Sequence, residues 1–208
     1  MKKTLRWIFL VACCSGSALA QSASEQTRQV KDQILTSTSL PSIRVKFDDR
    51  FKYVGTQRFV LYERAQVEQH FFVDADSQRR IKRMYMVQFE GYLPGVDATY
   101  NYPVIETVTL GGQTYIVNAE SVPNVSAALK QNPQSDAARA ASFLESKGYR
   151  MSESIRFQRF VRLVDETKRN EIIFLYIEEA AAMSAEEKVG KVGKEFLTRA
   201  LQGFTILK

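Results

Sequence analysis

The stretch EIIFLYIE, residues 171–178, constrains this chain more than any other. Read as a strand, it is apolar on both faces, with Ile172, Phe174 and Tyr176 on one side and Ile173, Leu175 and Ile177 on the other. A strand of that kind must be covered on both sides, so it belongs at the centre of a sheet. The segment SIRFQRFVRLV precedes it, and the charged turn DETKRN joins the two as a hairpin.

A period of two also runs from Ile43 to Leu93. VEQHFFV sets Val67, Gln69, Phe71 and Val73 on one face, and IKRMYMVQF sets Ile81, Arg83, Tyr85, Val87 and Phe89 on one face. DADSQRR, residues 74–80, is the polar turn between them. VIETVTL and QTYIVNA flank Gly111-Gly112, a dipeptide suited to a tight hairpin because both central positions can take positive φ. Residues 122–134 read as loop with a short helical turn. Ser135 can cap a helix running to about Lys147, with Gly148 just past its end.

The two ends of the chain are expected to be helical. A short helix over Ser24–Leu35 would lie in a polar lead-in, residues 21–41. Ser184-x-x-Glu187 forms a capping box, opening a long amphipathic helix whose stripe includes Val189, Val192, Phe196, Leu197, Ala200 and Leu201. Gly190 and Gly193 would let that helix approach the sheet closely. The expected fold class is α+β: one domain, residues 42–208, with a curved, mostly antiparallel sheet, the long C-terminal helix and one or two other helices packed on it. At an offset of 91, Val73-Asp74, Ile81 and Tyr85 echo Val164-Asp165, Ile172 and Tyr176. Duplication and two similar hairpins both account for this.

Residues 1–20 have the zones of an export signal: Lys2, Lys3 and Arg6, then an apolar run from Trp7 to Cys14, then Ala18-Leu19-Ala20. Cleavage between Ala20 and Gln21 is the expectation. The apolar run is shorter than the roughly 20 residues needed to span a bilayer. The alternative is lipidation at Cys13, since Leu10-Val11-Ala12-Cys13 resembles a bacterial lipoprotein signal. Cleavage after Ala20 removes three of 29 basic residues and none of the 23 acidic ones, leaving 26 − 23 = +3. So mild a charge does not argue for nucleic acid. Cleavage removes both cysteines as well, which excludes disulfides and thiolate metal sites and fits a bacterial envelope. Asn124-Val125-Ser126 then matches a glycosylation sequon by chance.

Chemistry-bearing motifs are few. His70 is the one histidine, with Glu68 and Phe72 as same-face neighbours, so it is placed on the more polar face of its strand, where a surface or half-buried position is expected. Asp74-Ala75-Asp76 begins like a calcium loop but continues with Arg79 where glycine is needed. Arg159 is the polar exception among Ile155, Phe157, Val161 and Leu163, and Glu63 and Glu90 are its candidate partners if it points inward. Tyr100 and Tyr102, in ATYNYP, can stack on a ligand. The ligand-binding candidates are therefore Arg159, His70, Tyr100 and Tyr102. No G-x-S-x-G or glycine-rich phosphate loop is present, and no cofactor or metal is implied.

The expected function is an exported, non-catalytic binding or accessory module for a small apolar ligand, an anionic envelope component or a partner protein. Two alternatives stand beside it: a histidine-poor hydrolase built on carboxylates, and an assembly factor that binds partners by a sheet edge. The export reading has a direct readout. Trp7 is the only tryptophan, so protein purified from the envelope should show tyrosine-like emission and an intact mass beginning at Gln21. An acylated mass beginning at Cys13 would replace that reading with the lipoprotein one.

Overall fold

The computed structural model describes residues 27–104, 106–180 and 191–207. The export signal, Cys13, Ala20, Gln21 and the capping box Ser184/Glu187 lie outside them. The order of elements is β1 (Arg28–Lys31), β2 (Ile34–Ser37), β3 (Ile43–Phe47), β4 (Lys52–Leu61), β5 (Ala65–Ala75), β6 (Ile81–Tyr92), β7 (Glu106–Leu110), β8 (Gln113–Val122), α1 (Val125–Gln131), α2 (Asp136–Ser146), β9 (Ile155–Leu163), β10 (Asn170–Glu179), α3 (Lys191–Gln202) and β11 (Phe204–Leu207).

Two antiparallel sheets result. Seven strands run in the order β4-β5-β6-β10-β9-β8-β7, and four run β1-β2-β3-β11. The doubly apolar strand β10 holds the middle position of the large sheet, where its sequence places it. One face carries Phe72, Tyr85, Phe160, Phe174 and Tyr176, which meet Leu35, Val45, Phe47 and Phe204 of the small sheet and Phe196 and Ala200 of α3. The opposite face carries Phe71, Val73, Met84, Met86 and Ile177, which pack with Val125 of α1 and Ala140 and Leu144 of α2. The architecture is α+β in three layers: small sheet with α3, large sheet, helix pair.

Most of the period-two segments fold as read. The charged turns join β5 to β6 and β9 to β10, and Gly111 and Gly112 take φ of 56° and 78° between β7 and β8. Ser135 Oγ accepts from the Ala138 N–H, and Gly148, at φ 79°, follows α2. Asn124, the residue of the sequon, caps α1 by accepting from the Ala127 N–H. The echo at offset 91 has a geometric counterpart: Tyr85 and Tyr176 are direct partners across the β6–β10 pair. A two-fold axis normal to the sheet would exchange them. The flanking strands slip out of that relation, since Phe72 faces Tyr85 whereas Gln158 faces Tyr176.

Both ends of the chain depart from expectation. Where a helix over Ser24–Leu35 is expected, the strands Arg28–Lys31 and Ile34–Ser37 form a hairpin instead. Its turn, Asp32-Gln33, carries φ of 50° and 61° without a glycine to signal it. In β2 Leu35 and Ser37 are buried and alternate with the less buried Ile34 and Thr36, as in a strand whose inner face meets the core. At the other end, the described helix α3 has 12 residues, so it is short, and it gives way to β11, which pairs with β3. Gly193 does not make the expected close approach, for a Cβ there would meet nothing within 4 Å. The close approach is at Gly203, where a Cβ would run into the Tyr85 hydroxyl and ring.

Tyr85 is buried and donates its hydroxyl proton to the Ala200 carbonyl at 2.8 Å. Gly203→Ala must therefore push Tyr85 or β11 outward. Thermal or denaturant unfolding should show a loss of about 1–3 kcal/mol, the usual cost of overpacking.

Candidate functional site

Polar groups gather on both faces of the large sheet. On the helix face they form a ladder across neighbouring strands. Gln57, Gln69 and Gln88 are register partners on β4, β5 and β6. Gln57 Nε2 donates to Gln69 Oε1 at 2.7 Å, Gln69 Nε2 to Gln88 Oε1 at 2.7 Å, and Gln88 Nε2 to Glu90 Oε2 at 2.6 Å. Alternation puts Glu90 on the same face as Gln88, and Glu90 stands directly opposite Glu171 of β10.

The segment 93–104 crosses over this pair of acids. Tyr100 donates its hydroxyl proton to Glu90 Oε1 at 2.9 Å, and Tyr102 donates to Glu171 Oε1 at 3.0 Å. Arg169, in the β9–β10 turn, holds the segment down. Its Nη1 donates to the Val96 and Ala98 carbonyls at 2.6 and 3.1 Å, and its Nη2 to the Leu93 carbonyl at 3.0 Å. The Tyr100 N–H bonds the Lys168 carbonyl at 2.8 Å, and the Tyr92 and Tyr100 rings stack at 4.4 Å.

Glu171 is 2% exposed, and its Oε2 has no hydrogen-bond partner among the described residues. Burial pushes its carboxyl up to about 7, with the charges of Glu90 and Asp136 adding to that and the Tyr102 hydrogen bond and Arg159 opposing it. Burial also raises Glu90, against hydrogen bonds from Tyr100 and Gln88, with Asp136 adding to the rise. Burial and the neighbouring carboxylates push both tyrosine hydroxyls well above their ordinary range. Arg159 lies on this face, half-buried. Its Nε donates to Asn118 Oδ1 at 2.9 Å, and its guanidinium sits 5.4 Å from the centre of the Tyr102 ring. Neither expected partner serves it: Glu63 is exposed in the β4–β5 turn, and Glu90 is held by Tyr100 and Gln88.

The other face carries His70. Here the sequence reading needs correction, because His70 is 1% exposed and enclosed between the two sheets. Its Nε2 is 2.9 Å from Glu68 Oε1, its Nδ1 is 3.3 Å from the Tyr53 hydroxyl, and Phe89 meets the ring edge-on. Glu68 also accepts from Arg28 Nη1 and Arg58 Nη2, each at 3.1 Å. Burial pushes the Glu68 carboxyl up, but hydrogen bonds from His70 and Arg58, with the charges of His70 and Arg28, outweigh it and hold the group at about 2. Where the small sheet stops short of the large one, a cleft of about 440 Å³ opens beside this cluster, lined by Arg28, Arg58, Glu68, Phe89, Tyr92 and Leu93 among others. That is within the size range of small-ligand sites.

The structure thus brings Arg159, Tyr100 and Tyr102 to one face and His70 to the other. Sequence reasoning missed Glu171, Glu68, Arg28 and Arg58. Glu171 sat at the edge of an apolar run, and nothing local revealed that register sets it against Glu90. The basic turns are paired locally, Arg83 with Asp74 and Lys82 with Glu179, and Asp76 caps its own turn through the Gln78 and Arg80 N–H groups. Among the described residues no group of three or more His, Cys, Asp or Glu is arranged to hold a metal ion.

The raised Glu171 carboxyl makes stability depend on pH. Ionisation is easier in the unfolded chain, near 4.5, than in the fold. The fold is therefore favoured while Glu171 is protonated and loses stability as pH rises from about 4.5 to about 7, by about 3 kcal/mol if this group acts alone. Glu171→Gln should be more stable than the wild type at pH 8 by about 1–3 kcal/mol and should flatten that slope in denaturant titrations. An unchanged slope would mean the carboxyl is reached by water.

The chain matches no protein-family model, no curated protein and no solved structure.

Proposed function

We propose that this is an exported bacterial envelope protein that binds a small amphiphile carrying one anionic group, without transforming it. The observation that carries this reading is the cleft between the sheets. Two guanidinium groups, Arg28 and Arg58, meet the Glu68 carboxylate there, and Glu90 also lines the cleft. Burial raises the Glu90 carboxyl, and while that group holds its proton the lining carries a local excess of positive charge. Phe89, Leu93, Pro94 and Leu40 supply apolar wall. Arg58, exposed at the mouth, would receive a carboxylate or phosphate, and the apolar walls would take the body of the ligand. His70 positions Glu68 and does not itself reach ligand. The export half of the proposal rests on the leader, with Ala20 and Gln21 at the cut and Cys13 as the lipid-bearing alternative. No described helix is long and apolar enough to cross a membrane.

A second reading, hydrolysis by paired carboxylates, is favoured by one observation: Glu90 and Glu171 are register partners on adjacent strands. Against it stands the covering segment, which leaves Glu171 almost fully buried.

Calorimetry with octanoate and octyl phosphate tests the cleft. Both should bind with dissociation constants in the micromolar range, and Arg58→Glu should weaken each at least tenfold. Because that substitution also sets a carboxylate beside Glu68, it should lower the melting temperature, so binding is compared at a temperature where both proteins are fully folded. Binding weaker than millimolar, or indifferent to Arg58→Glu, would remove the cleft from consideration. A native mass spectrum of envelope-purified protein would then be read for a ligand held elsewhere.

A further inference from the structure

The cleft and the pair of acids share one element. Tyr92, Leu93 and Pro94 form part of the cleft wall. The same stretch of chain continues to Tyr100 and Tyr102, which close over Glu90 and Glu171. Stacking of Tyr92 on Tyr100 links the two halves. Arg169 fixes the intervening carbonyls.

The buried acids are poorly provided for as charges. Around them stand Asp136 from α2, Gln88 from β6, Arg159 from β9 and the two tyrosines of the covering segment. Arg159 is the cation that bears on Glu171, and it is turned toward Asn118 and the Tyr102 ring. A neutral acid can tolerate an oxygen without a partner, as Glu171 Oε2 is. A buried carboxylate cannot do so cheaply, and water reaches that oxygen once the tyrosines lift. We propose that Glu90 and Glu171 form a proton-operated latch: with a proton bound the pair keeps the segment 93–104 closed, and full ionisation releases it and loosens the cleft wall. Ligand affinity then falls as pH rises. The link to affinity rests on the cleft being the ligand site, whereas the latch itself does not.

Amide hydrogen exchange on the whole protein, corrected for intrinsic rates, separates the two. Between pH 6 and 8.5 the Tyr100 and Val96 amides of the wild type should lose protection at least tenfold. Glu171→Gln should abolish that loss, and Glu90→Gln, by removing a like charge that raises Glu171, should move its midpoint to lower pH. Octanoate, ionised throughout this interval, should bind the wild type at least fivefold more weakly at pH 8.5 than at pH 6 and bind Glu171→Gln equally at both. Exchange that ignores pH, or that changes alike in wild type and Glu171→Gln, overturns the latch whatever octanoate does. Exchange that follows the latch while octanoate binds equally at both pH values overturns its coupling to the cleft. If octanoate fails to bind at any pH while exchange follows the latch, the cleft reading falls and the latch stands.

Discussion

The antiparallel pairing of β6 with β10 is the constraint on which the rest of the structure depends. It runs from Asn170 opposite Gly91 to Glu178 opposite Arg83 and joins two hairpins that are far apart in sequence. Both faces of β10 are then committed: Phe174 and Tyr176 to the small sheet and α3, Ile177 to the helix pair. Slipping the pairing by one residue would turn each of these side chains to the wrong layer. It would also part Glu90 from Glu171, so the same register that closes the core assembles the acid pair.

The pairing explains why polar residues can lie inside this sheet. Gln57, Gln69 and Gln88 are held in line by the register and satisfy one another across three strands. Glu68 and His70 do the same on the opposite face. Each polar group is tolerable because its neighbour is fixed. Glu171 departs from this pattern, with one oxygen bonded by Tyr102 and the other left over.

Local chemistry made much of the fold legible. Doubly apolar β10, the Gly111-Gly112 turn and the Ser135 cap each announced themselves because the cause lies within a few residues. The β1–β2 hairpin did not, because Asp32 and Gln33 adopt positive φ without glycine, and the strands are only four residues each. His70 was misplaced because alternation reports polarity, and a polar face is outward only if nothing covers it. Here the small sheet does. The choice of Arg159, Tyr100 and Tyr102 located a real convergence of polar groups, while the acids beneath it depended on a strand pairing that one sequence cannot disclose.

The small sheet has a further consequence. It unites residues 28–47 with residues 204–207, so the whole large sheet lies between its strands in sequence. Phe204 stacks on Phe174 and touches the rings of Phe47, Tyr85 and Phe160. Until that phenylalanine has been synthesised, Leu35, Val45 and Phe47 lack the strand that completes their layer. The large sheet can collapse first, but its inner face stays open to water and to other chains. The order of synthesis thus makes closure of the core a late event, and it gives a holding factor a defined apolar surface to recognise in the nascent protein.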